Sequence, residues 1–387
     1  MESGPGRAGR YVTHLLGSAS YRAFIPAPLP PRPSIRMDQG LTRLLSDADR
    51  VLGRLDGVAS VLPNPDLFVA MYVRQEAVLS SQIEGTQSTL EDILEYEAHG
   101  ATADQPRDIE EVVNYIATMK HGLHRLDTLP LSLRLLREIH GGLLTGVRGQ
   151  DRQPGNFRTS QNWIGPSGCT LAEAEFVPPS PHDMQIALHE FENFLHERNH
   201  LPILVHTALA HAQFETIHPF LDGNGRVGRL LITLLLCERD ILRQPLLYLS
   251  HYLKAHRSQY YDRLTAIRNE GDWESWVQFF LRGVFEVSQA ATDTARAILD
   301  MREEHRAKVS GRSSANNALR LLDFLFERPL ISVRMAEGHL GCSYVTAANI
   351  IDDFQHLGLL REITGQQRHR RYRYDPYIAL FHQQVAV

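Results

Sequence analysis

The sequence predicts a mainly α-helical protein in which a helical bundle is followed by a winged helix-turn-helix. Apolar residues recur at three- and four-residue spacing over most of the chain, as in helices that bury one face. A segment rich in glycine and proline, residues 146–181, interrupts this pattern and predicts a long loop or small hairpin. The 387 residues exceed the usual size of one hydrophobic core, so we expect two or three domains.

The composition matches an ordinary globular protein of a reducing compartment. Hydrophobic residues make up 43% and charged residues 22%, which excludes a wholly disordered chain. The formal charge of -5 gives no global attraction to nucleic acid, so such binding needs a local basic patch. The three cysteines form no CxxC pair, which argues against a disulfide framework. With no signal-peptide-like or membrane-spanning apolar run, we expect a cytoplasmic protein without a membrane partner.

The first 35 residues are predicted to form an extended arm. Prolines occupy five positions between 26 and 33, where they remove amide donors and fix the backbone angle. The small polar run SGRSS near residue 312 supplies no core and indicates a linker. We predict, in order, the proline-rich arm 1–35, an N-terminal helical region 36–125, a core 126–290, a helix end and linker 291–315, and a winged helix-turn-helix 316–387.

Three glycines punctuate the run HPFLDGNGRVGR, residues 218–229. Gly223, Gly225 and Gly228 free the backbone to curl N–H groups around an anion, and the apolar run that follows begins a helix with a positive end. The same glycines satisfy the GxGxxG pattern, but a dinucleotide site needs a preceding apolar strand, which HAQFETIHPFLD is not. We therefore predict a phosphate site and reject the dinucleotide fold.

The polar side chains of this run suit nucleotidyl transfer. His218 is a candidate base for an attacking hydroxyl, Asp222 a candidate Mg²⁺ ligand, and Arg226 and Arg229 candidate phosphate contacts. The run resembles the signature of the Fic family, HPFxDGNGRxGR, without departure. The resemblance covers about residues 26–287 and implies a Fic-type helical bundle with a small β-hairpin flap.

The resemblance implies that AMP passes from ATP, with Mg²⁺, to a Ser, Thr or Tyr hydroxyl of a protein, the enzyme itself included. His218 would deprotonate the hydroxyl, Asp222 would hold Mg²⁺, Arg229 would hold the terminal phosphate, and Phe220 would be a buried structural ring. The implied anion hole and phosphate contacts are Gly223, Asn224, Gly225, Arg226 and Gly228.

Family resemblance also makes the Gly- and Pro-rich segment a flap, about residues 157–176, that aligns a target segment by strand addition. Its candidate contacts are Phe157, Arg158, Thr159, Trp163 and Ile164. Lesser candidates for nucleotide contact are Gln213, one turn before the run, and Tyr252, Tyr260 and Tyr261, near the implied adenine pocket. Residues of these types on helices more often serve packing or solvation.

Ser80, Glu84 and Gly85 end an apolar helix in the segment SSQIEG. A glutamate near a helix C-terminus opposes the helix dipole unless a cation accompanies it, and Arg229 is the obvious candidate. The segment resembles the Fic inhibitory motif [S/T]xxxE[G/N]. We therefore expect a Glu84–Arg229 ion pair that occupies the terminal-phosphate site and keeps the enzyme weakly active.

Three short helical segments and a glycine-turned ribbon predict the winged helix-turn-helix. The ribbon's arginines suit phosphate contacts: Arg368, Arg370, Arg371 and Arg373. The segment 344–357 that would enter a DNA groove carries two aspartates, and winged helices also dock proteins or form dimers. DNA, a partner protein and a second copy of the chain are therefore candidate partners.

Other interpretations stay open. A regulator would bind DNA or a protein through the winged helix and use the Fic-like region only to sense nucleotide, so replacement of His218 would leave its function intact. Some Fic relatives transfer other phosphate-containing groups, from other nucleotides or CDP-choline; the unaltered stretch from Asp222 to Arg229 favours ATP. His206 and His211 lack the HExxH or cysteine context of a zinc site and are predicted to be packing or surface residues.

Overall fold

The computed structural model of the chain describes residues 6–16, 19–60, 65–100, 108–166, 168–198, 201–311 and 315–382. It confirms a mainly helical protein that ends in a winged helix-turn-helix. The elements are β1 (Gly9–Leu16), β2 (Ala19–Pro26), α1 (Gln39–Ser60), α2 (Pro65–Ile83), α3 (Leu90–His99), α4 (Ile109–Arg125), α5 (Leu133–Leu143), α6 (Pro181–His196), α7 (Ile203–Ile217), α8 (Asn224–Glu238), α9 (Ser250–Ala255), α10 (Arg257–Glu270), α11 (Trp273–Ser310), α12 (Ala315–Glu327), β3 (Leu330–Ser332), α13 (Val333–Leu340), α14 (Tyr344–His356), β4 (Arg361–Glu362), β5 (Arg371–Arg373) and α15 (Asp375–His382). None of the described helices is long and apolar enough to cross a bilayer.

An antiparallel hairpin stands where the sequence predicted an extended arm. β1 and β2 pair from Gly9 opposite Pro26 to Leu16 opposite Ala19. The dense run of prolines starts only at residue 26, so it ends the second strand instead of preventing it. Tyr11 and Phe24 pack edge to face, with ring centroids 5.0 Å apart. The Phe24 N–H donates to the Val177 carbonyl at 2.9 Å, which ties the hairpin to the segment before α6.

The central helices are α7 and α8, which pack against each other and are joined by the loop 218–223. Almost every residue of α7 is buried, so its polar side chains must find partners inside the protein. His211 shows this: Nδ1 lies 2.8 Å from the Gly228 carbonyl of α8 and Nε2 lies 2.9 Å from the Tyr260 hydroxyl. The loop is therefore held between two helices of the core.

The N-terminal helical region packs onto α8 through α2 and α4. The described part of α2 is buried almost throughout, and its C-terminal end brings Glu84 beside the first turns of α8. Asp108, just before α4, accepts hydrogen bonds from the Gln87 N–H and the Ser88 hydroxyl, both at 2.6 Å. These contacts fix the chain that follows Glu84.

The long helix α11 packs along α1 and continues to the winged helix-turn-helix. In that domain α13 packs against α12, α14 and β3, and β3 belongs to a three-stranded sheet with the order β3-β5-β4. Its last helix, α15, reaches back to the N-terminal region, where the rings of Phe381 and Tyr72 lie 5.4 Å apart. The winged domain therefore contacts α2, the helix that leads to Glu84.

Candidate active site

His218 ends α7 and begins the loop that leads to α8. Its backbone is left-handed, with φ 49° and ψ 60°, and its N–H donates to the Phe214 carbonyl. Non-glycine residues in this region are uncommon and cluster at functional sites. Burial lowers the pKa of His218 to about 3, and the charges of Arg268 and Arg158 act in the same direction. The imidazole is therefore neutral at neutral pH, the form that accepts a proton.

Two side chains hold the loop 218–223 in shape. Asn224 makes a pair of hydrogen bonds with the backbone of Phe220, whose N–H donates to Oδ1 at 2.9 Å and whose carbonyl accepts from Nδ2 at 2.8 Å. The ring of Phe220 is fully buried, as predicted, and stacks on His140 at 3.8 Å. His140 Nδ1 accepts from the Gly155 N–H, so Nε2 carries the proton and donates to the Asp222 carbonyl at 3.0 Å.

The first turn of α8 has the features of an anion-binding site, namely a glycine before the helix and free backbone N–H groups. Gly223 precedes the helix with φ 77°, a conformation that favours glycine. The opening N–H groups of a helix, here those of Asn224, Gly225 and Arg226, have no carbonyl partner within the helix and carry positive potential. What Asn224 offers an anion is its backbone N–H, because its side chain is committed to Phe220.

Gly225 and Gly228 are glycines because carboxylates lie against their α-carbons. A Cβ at residue 225 would lie 2.2 Å from Oε1 of Glu84, and a Cβ at residue 228 would lie 2.3 Å from Oε1 of Glu215. Burial raises the pKa of Glu215 to about 7, although the nearby Arg229 opposes the shift. The face of α8 that carries the motif therefore meets two acidic side chains.

Arg229 is bound by Ser80 of α2 and by Glu84, the residue directly after α2. Its Nη2 lies 2.7 Å from Oε1 of Glu84, its Nε donates to the Ser80 hydroxyl at 2.7 Å, and Nη2 also donates to the Ser80 carbonyl at 3.0 Å. Burial is the largest single influence on the pKa of Glu84 and acts to raise it, but the charge and hydrogen bond of Arg229, together with the charge of Arg226, bring the pKa below its ordinary value. The ion pair predicted from the sequence is thus present.

The sequence predicts that the Arg226 side chain contacts a phosphate, but in the structure this side chain is buried and paired with a carboxylate. Its side chain is 1% exposed, and Nη1 lies 2.9 Å from Oε2 of Glu111, in the first turn of α4. Its Nη2 lies 3.8 Å from Oδ1 of Asp222. The Arg226 backbone N–H, in contrast to the side chain, stays available at the start of α8.

Comparison with known proteins assigns the domains. Residues 42–124 match the model of the Fic/DOC family N-terminal region, residues 130–236 that of the Fic/DOC family, and residues 319–372 that of an HTH DNA binding domain. The chain carries a Fic domain. The motif in which His218 and Arg229 lie falls within the Fic match.

Relatives of known name match part of the chain. The chain is 35% identical over 153 residues to a protein adenylyltransferase Fic of Aedes aegypti, a match that covers 38% of this chain and 27% of the mosquito protein. The relative from Culex quinquefasciatus is 36% identical over 153 residues, with 38% and 27% covered. The matched part of the chain therefore spans about a quarter of the length of these relatives.

Solved Fic proteins share the architecture. A Fic family protein from Desulfovibrio desulfuricans aligns with a TM-score of 0.57 and 20% identity, over 88% of this chain and 97% of that one. A Fic domain containing signaling protein from Bacteroides thetaiotaomicron aligns with a TM-score of 0.53 and 17% identity, over 65% of this chain and 97% of that one. These likenesses establish the fold.

Asp222 fits the role of a magnesium ligand at the mouth of the Fic site. Its carboxylate is 36% exposed, and Oδ1 accepts from the Gly223 N–H at 2.6 Å. The described residues contain no group of three His, Cys, Asp or Glu that would form a metal cage of protein atoms. Mg²⁺ often binds to one carboxylate together with substrate phosphates and water, so a single aspartate beside an anion site suffices.

The flap of the Fic domain is a minimal hairpin. The Ile164 N–H donates to the Phe176 carbonyl at 2.8 Å, and the Phe176 N–H donates back at 3.1 Å. Thr159 and Trp163 are exposed beside it, where a target segment has access. Phe157 packs inward, 5.3 Å from Phe220, so it supports the loop.

Arg158 is a structural residue of the flap, not a contact for a target. Its side chain is 1% exposed. Nε donates to the His218 carbonyl at 3.0 Å and Nη2 donates to the Pro179 carbonyl at 2.6 Å. An arginine with all its donors turned inward cannot meet a docking peptide. It instead ties the base of the flap to the residue proposed as catalytic base.

Three of the four candidate nucleotide contacts outside the motif are buried in the core. Gln213 donates to the Ala27 carbonyl at 2.8 Å, and Tyr260 bonds His211. Tyr252 packs on Phe279 with ring centroids 5.0 Å apart. Tyr261 alone of the four is exposed. Tyr261 stays the candidate for contact with the adenine ring of the nucleotide.

The basic ribbon of the winged domain is partly neutralised. Arg371 lies 3.3 Å from Glu95 of α3, and Arg373 lies 2.5 Å from Asp375. Arg368 and Arg370 are exposed between β4 and β5. Of the four predicted contacts to nucleic acid, Arg368 and Arg370 are thus available. Arg371 and Arg373 are held by acidic side chains.

The site contains residues that sequence reasoning did not find: His140, Glu111 and Glu215. Each is a titratable residue on the buried face of a helix, a pattern that asks for a specific partner. Glu111 meets Arg226 and His140 meets the Asp222 carbonyl, 115 and 82 residues away, so no local motif marks these two. Glu215 lies against Gly228, and its buried Oε1 has no hydrogen-bond partner among the described residues. His206, predicted to pack or lie at the surface, is buried and stacks on Phe194 at 4.2 Å.

Proposed function

We propose that the protein is an adenylyltransferase that moves AMP from ATP to a Ser, Thr or Tyr hydroxyl of a protein, the enzyme itself included. The observation that carries the proposal is the loop between α7 and α8: the neutral His218 stands at one end and the anion-binding first turn of α8 at the other. A base and a phosphate site on one rigid loop are what transfer to a hydroxyl requires.

In this mechanism the first turn of α8 binds the phosphates and directs the α-phosphorus toward the target hydroxyl. His218 takes the hydroxyl proton while the oxygen forms its bond to the α-phosphorus, and the bond from that phosphorus to the bridging oxygen breaks. Pyrophosphate leaves with the electron pair of that bond. Bound phosphates raise the proton affinity of the buried imidazole, which stabilises the imidazolium that forms. Asp222 would hold Mg²⁺, which supplies charge neutralisation on the phosphates.

We further propose that Glu84 inhibits the enzyme. Arg229 is 2% exposed whereas Glu84 is 31% exposed, so the carboxylate covers the guanidinium from the solvent side. A terminal phosphate that approaches Arg229 meets a negative charge first. Glu84→Gly removes that charge and is expected to raise the transfer rate, while an unchanged rate would contradict inhibition.

Transfer itself is tested by mass spectrometry of the protein and of a candidate target after incubation with Mg²⁺ and ATP. The proposal predicts a covalent AMP group on a hydroxyl side chain with Glu84→Gly and none with Glu84→Gly/His218→Ala. Competition by GTP, CTP and CDP-choline separates adenylyl transfer from transfer of another phosphate-containing group. A modification that persists without His218 would overturn its role as the base.

The second candidate function is regulation through the winged helix, which the match to an HTH DNA binding domain and the exposed Arg368 and Arg370 support. Under this alternative the Fic domain senses nucleotide without transfer. Binding of duplex DNA by the His218→Ala variant, with no transfer by Glu84→Gly, would favour it. The proposal also includes the predicted domain boundaries, a cytoplasmic location and a homodimer. Sedimentation analysis tests the homodimer.

A further inference from the structure

The N-terminal helical region supplies a carboxylate to each of the two arginines of the motif. Glu84 meets Arg229 at 2.7 Å, and Glu111 meets Arg226 at 2.9 Å. The second pair is the more enclosed, with side chains 5% and 1% exposed. Glu84 is accounted for by the proposed inhibition, whereas Glu111 has no role in the function described so far.

Glu111 belongs to a row of alternating charges that ends at the proposed magnesium ligand. Arg148 lies 3.4 Å from Oε1 of Glu111, Arg226 lies 2.9 Å from Oε2, and the other end of the Arg226 guanidinium lies 3.8 Å from Oδ1 of Asp222. The Arg226 Nε is buried and has no hydrogen-bond partner among the described residues. The guanidinium is thus held between two carboxylates, closer to Glu111.

The position of Arg226 decides how much negative charge Asp222 presents. Attraction between charges grows as the distance shortens, so Glu111 holds the guanidinium more strongly than Asp222 does. Without the Glu111 charge, a buried cation would have Asp222 as its nearest carboxylate and would close on it. The negative charge of Asp222 would then be neutralised by Arg226, and Asp222 would attract a divalent cation less strongly.

We propose that Glu111 is a positioning residue of the nucleotide site, which keeps Arg226 from neutralising Asp222. The inference rests on the proposed function, since it concerns the binding of ATP with Mg²⁺. It assigns the Arg226 side chain to the control of Asp222 instead of to the phosphates. A merely structural role of the pair, joining α4 to α8, would change stability but not the magnesium dependence of ATP binding.

The test measures ATP binding by calorimetry at a series of Mg²⁺ concentrations and in EDTA, with Glu84→Gly as the parent so that inhibition does not interfere. Addition of Glu111→Gln is expected to raise the half-saturating Mg²⁺ concentration by about 10- to 100-fold, the usual effect of removing a group that orients a metal ligand. Binding without Mg²⁺ is expected to stay the same or tighten, because Asp222 no longer repels the phosphates.

The matched control is Glu110→Gln, which removes the same charge from the neighbouring, exposed position of α4 and should leave the Mg²⁺ dependence unchanged. A second variant guards against poor folding: Glu111→Gln/Arg226→Met removes both buried charges. It should restore the parent's Mg²⁺ requirement, because nothing then competes for Asp222. Thermal unfolding confirms that each protein is folded.

The outcomes separate this inference from the proposed function. If Glu84→Gly binds no ATP at any Mg²⁺ concentration, the proposed function fails and the inference fails with it. If it binds ATP with Mg²⁺ but Glu111→Gln leaves the Mg²⁺ dependence unchanged, the inference alone is overturned. Loss of ATP binding by the double variant in EDTA would also overturn it, since Arg226 would then contact the phosphates directly.

Discussion

The carboxylate of Glu84 lies against the α-carbon of Gly225, so close that a Cβ there would be 2.2 Å from Oε1. The same oxygen lies 2.7 Å from Nη2 of Arg229. Glu84 therefore fills the space in front of the first turn of α8, where an anion would bind. The contact explains in steric terms why this turn carries a glycine and where the proposed inhibition acts.

This contact predicts that the effects of Gly225→Ala and Glu84→Gly on stability are not additive. The new methyl group collides with the Glu84 carboxylate, and such overpacking costs about 1–3 kcal/mol. In the Glu84→Gly variant the closest contact is gone and only Nη1 of Arg229, 3.0 Å from the new Cβ, stays near it, so most of the cost should vanish. Denaturant unfolding of the two single variants and the double variant measures the coupling. Equal destabilisation by Gly225→Ala in both backgrounds would contradict the close approach.

Glu215 predicts a pH-dependent stability that can be isolated by substitution. Burial raises its pKa from the ordinary 4.5 to about 7, so between these values the folded protein holds a proton that the unfolded chain releases. Its contribution to stability is therefore present at acidic pH and is lost as the pH rises toward and through about 7.

Glu215→Gln should remove this dependence, so its stability relative to the unaltered protein should increase from pH 5 to pH 8 by up to about 3 kcal/mol. Thermal unfolding across this range provides the measurement. The two proteins must be compared at each pH, because other groups also make the stability depend on pH. Buried histidines such as His206, whose pKa burial lowers to about 4, make stability rise with pH, opposite to the effect of Glu215. Glu190→Gln, at an exposed position of α6, is the control and should show no trend.

His140 is predicted to support the rate of transfer through the loop. His140→Phe keeps a ring to stack on Phe220 but loses the hydrogen bonds to the Asp222 carbonyl and from the Gly155 N–H. Small displacements of reacting groups lower rates by up to about 100-fold, so we expect a 10- to 100-fold lower kcat in the Glu84→Gly background. Steady-state kinetics check this against His189→Phe, an exposed histidine. An unchanged kcat would show that the loop holds its shape without His140.

The winged domain is predicted to bind duplex DNA through the two exposed arginines of the ribbon. Arg368→Ala/Arg370→Ala should weaken binding and reduce the slope of log affinity against log salt by about 2, because two phosphate contacts are lost. Arg373→Ala, whose arginine is paired with Asp375, should leave the slope unchanged. Fluorescence anisotropy at several salt concentrations measures both. Equal effects of the two sets would mean that the ion pair opens on binding.

The proposed catalytic loop could be predicted from sequence because its residues lie in one run of twelve. The proposed base, the glycines and the proposed magnesium ligand follow one another between His218 and Arg229, so their spacing is visible without a structure. The Glu84–Arg229 pair was predictable for a different reason: a glutamate at a helix end needs a cation, and the motif provides one.

Residues whose role depends on a distant partner could not be predicted in this way. Arg226 was expected at the phosphates because nothing near it in sequence indicates Glu111, 115 residues away. Gln213 likewise bonds Ala27 across 186 residues. The hairpin of residues 9–26 was missed because the prolines that follow dominate the local pattern. For Arg226 and Gln213, tertiary contacts, which local patterns do not record, decide the outcome.

The central claim, that the Fic domain transfers AMP and that Glu84 restrains it, is tested most directly with ATP labelled separately on the α- and γ-phosphates. The unaltered protein, Glu84→Gly and Glu84→Gly/His218→Ala are incubated with Mg²⁺, each label and candidate target proteins, and label bound to protein is measured. The account predicts α-label without γ-label, most with Glu84→Gly and none without His218. Bound γ-label, or no bound label with Glu84→Gly, would contradict it.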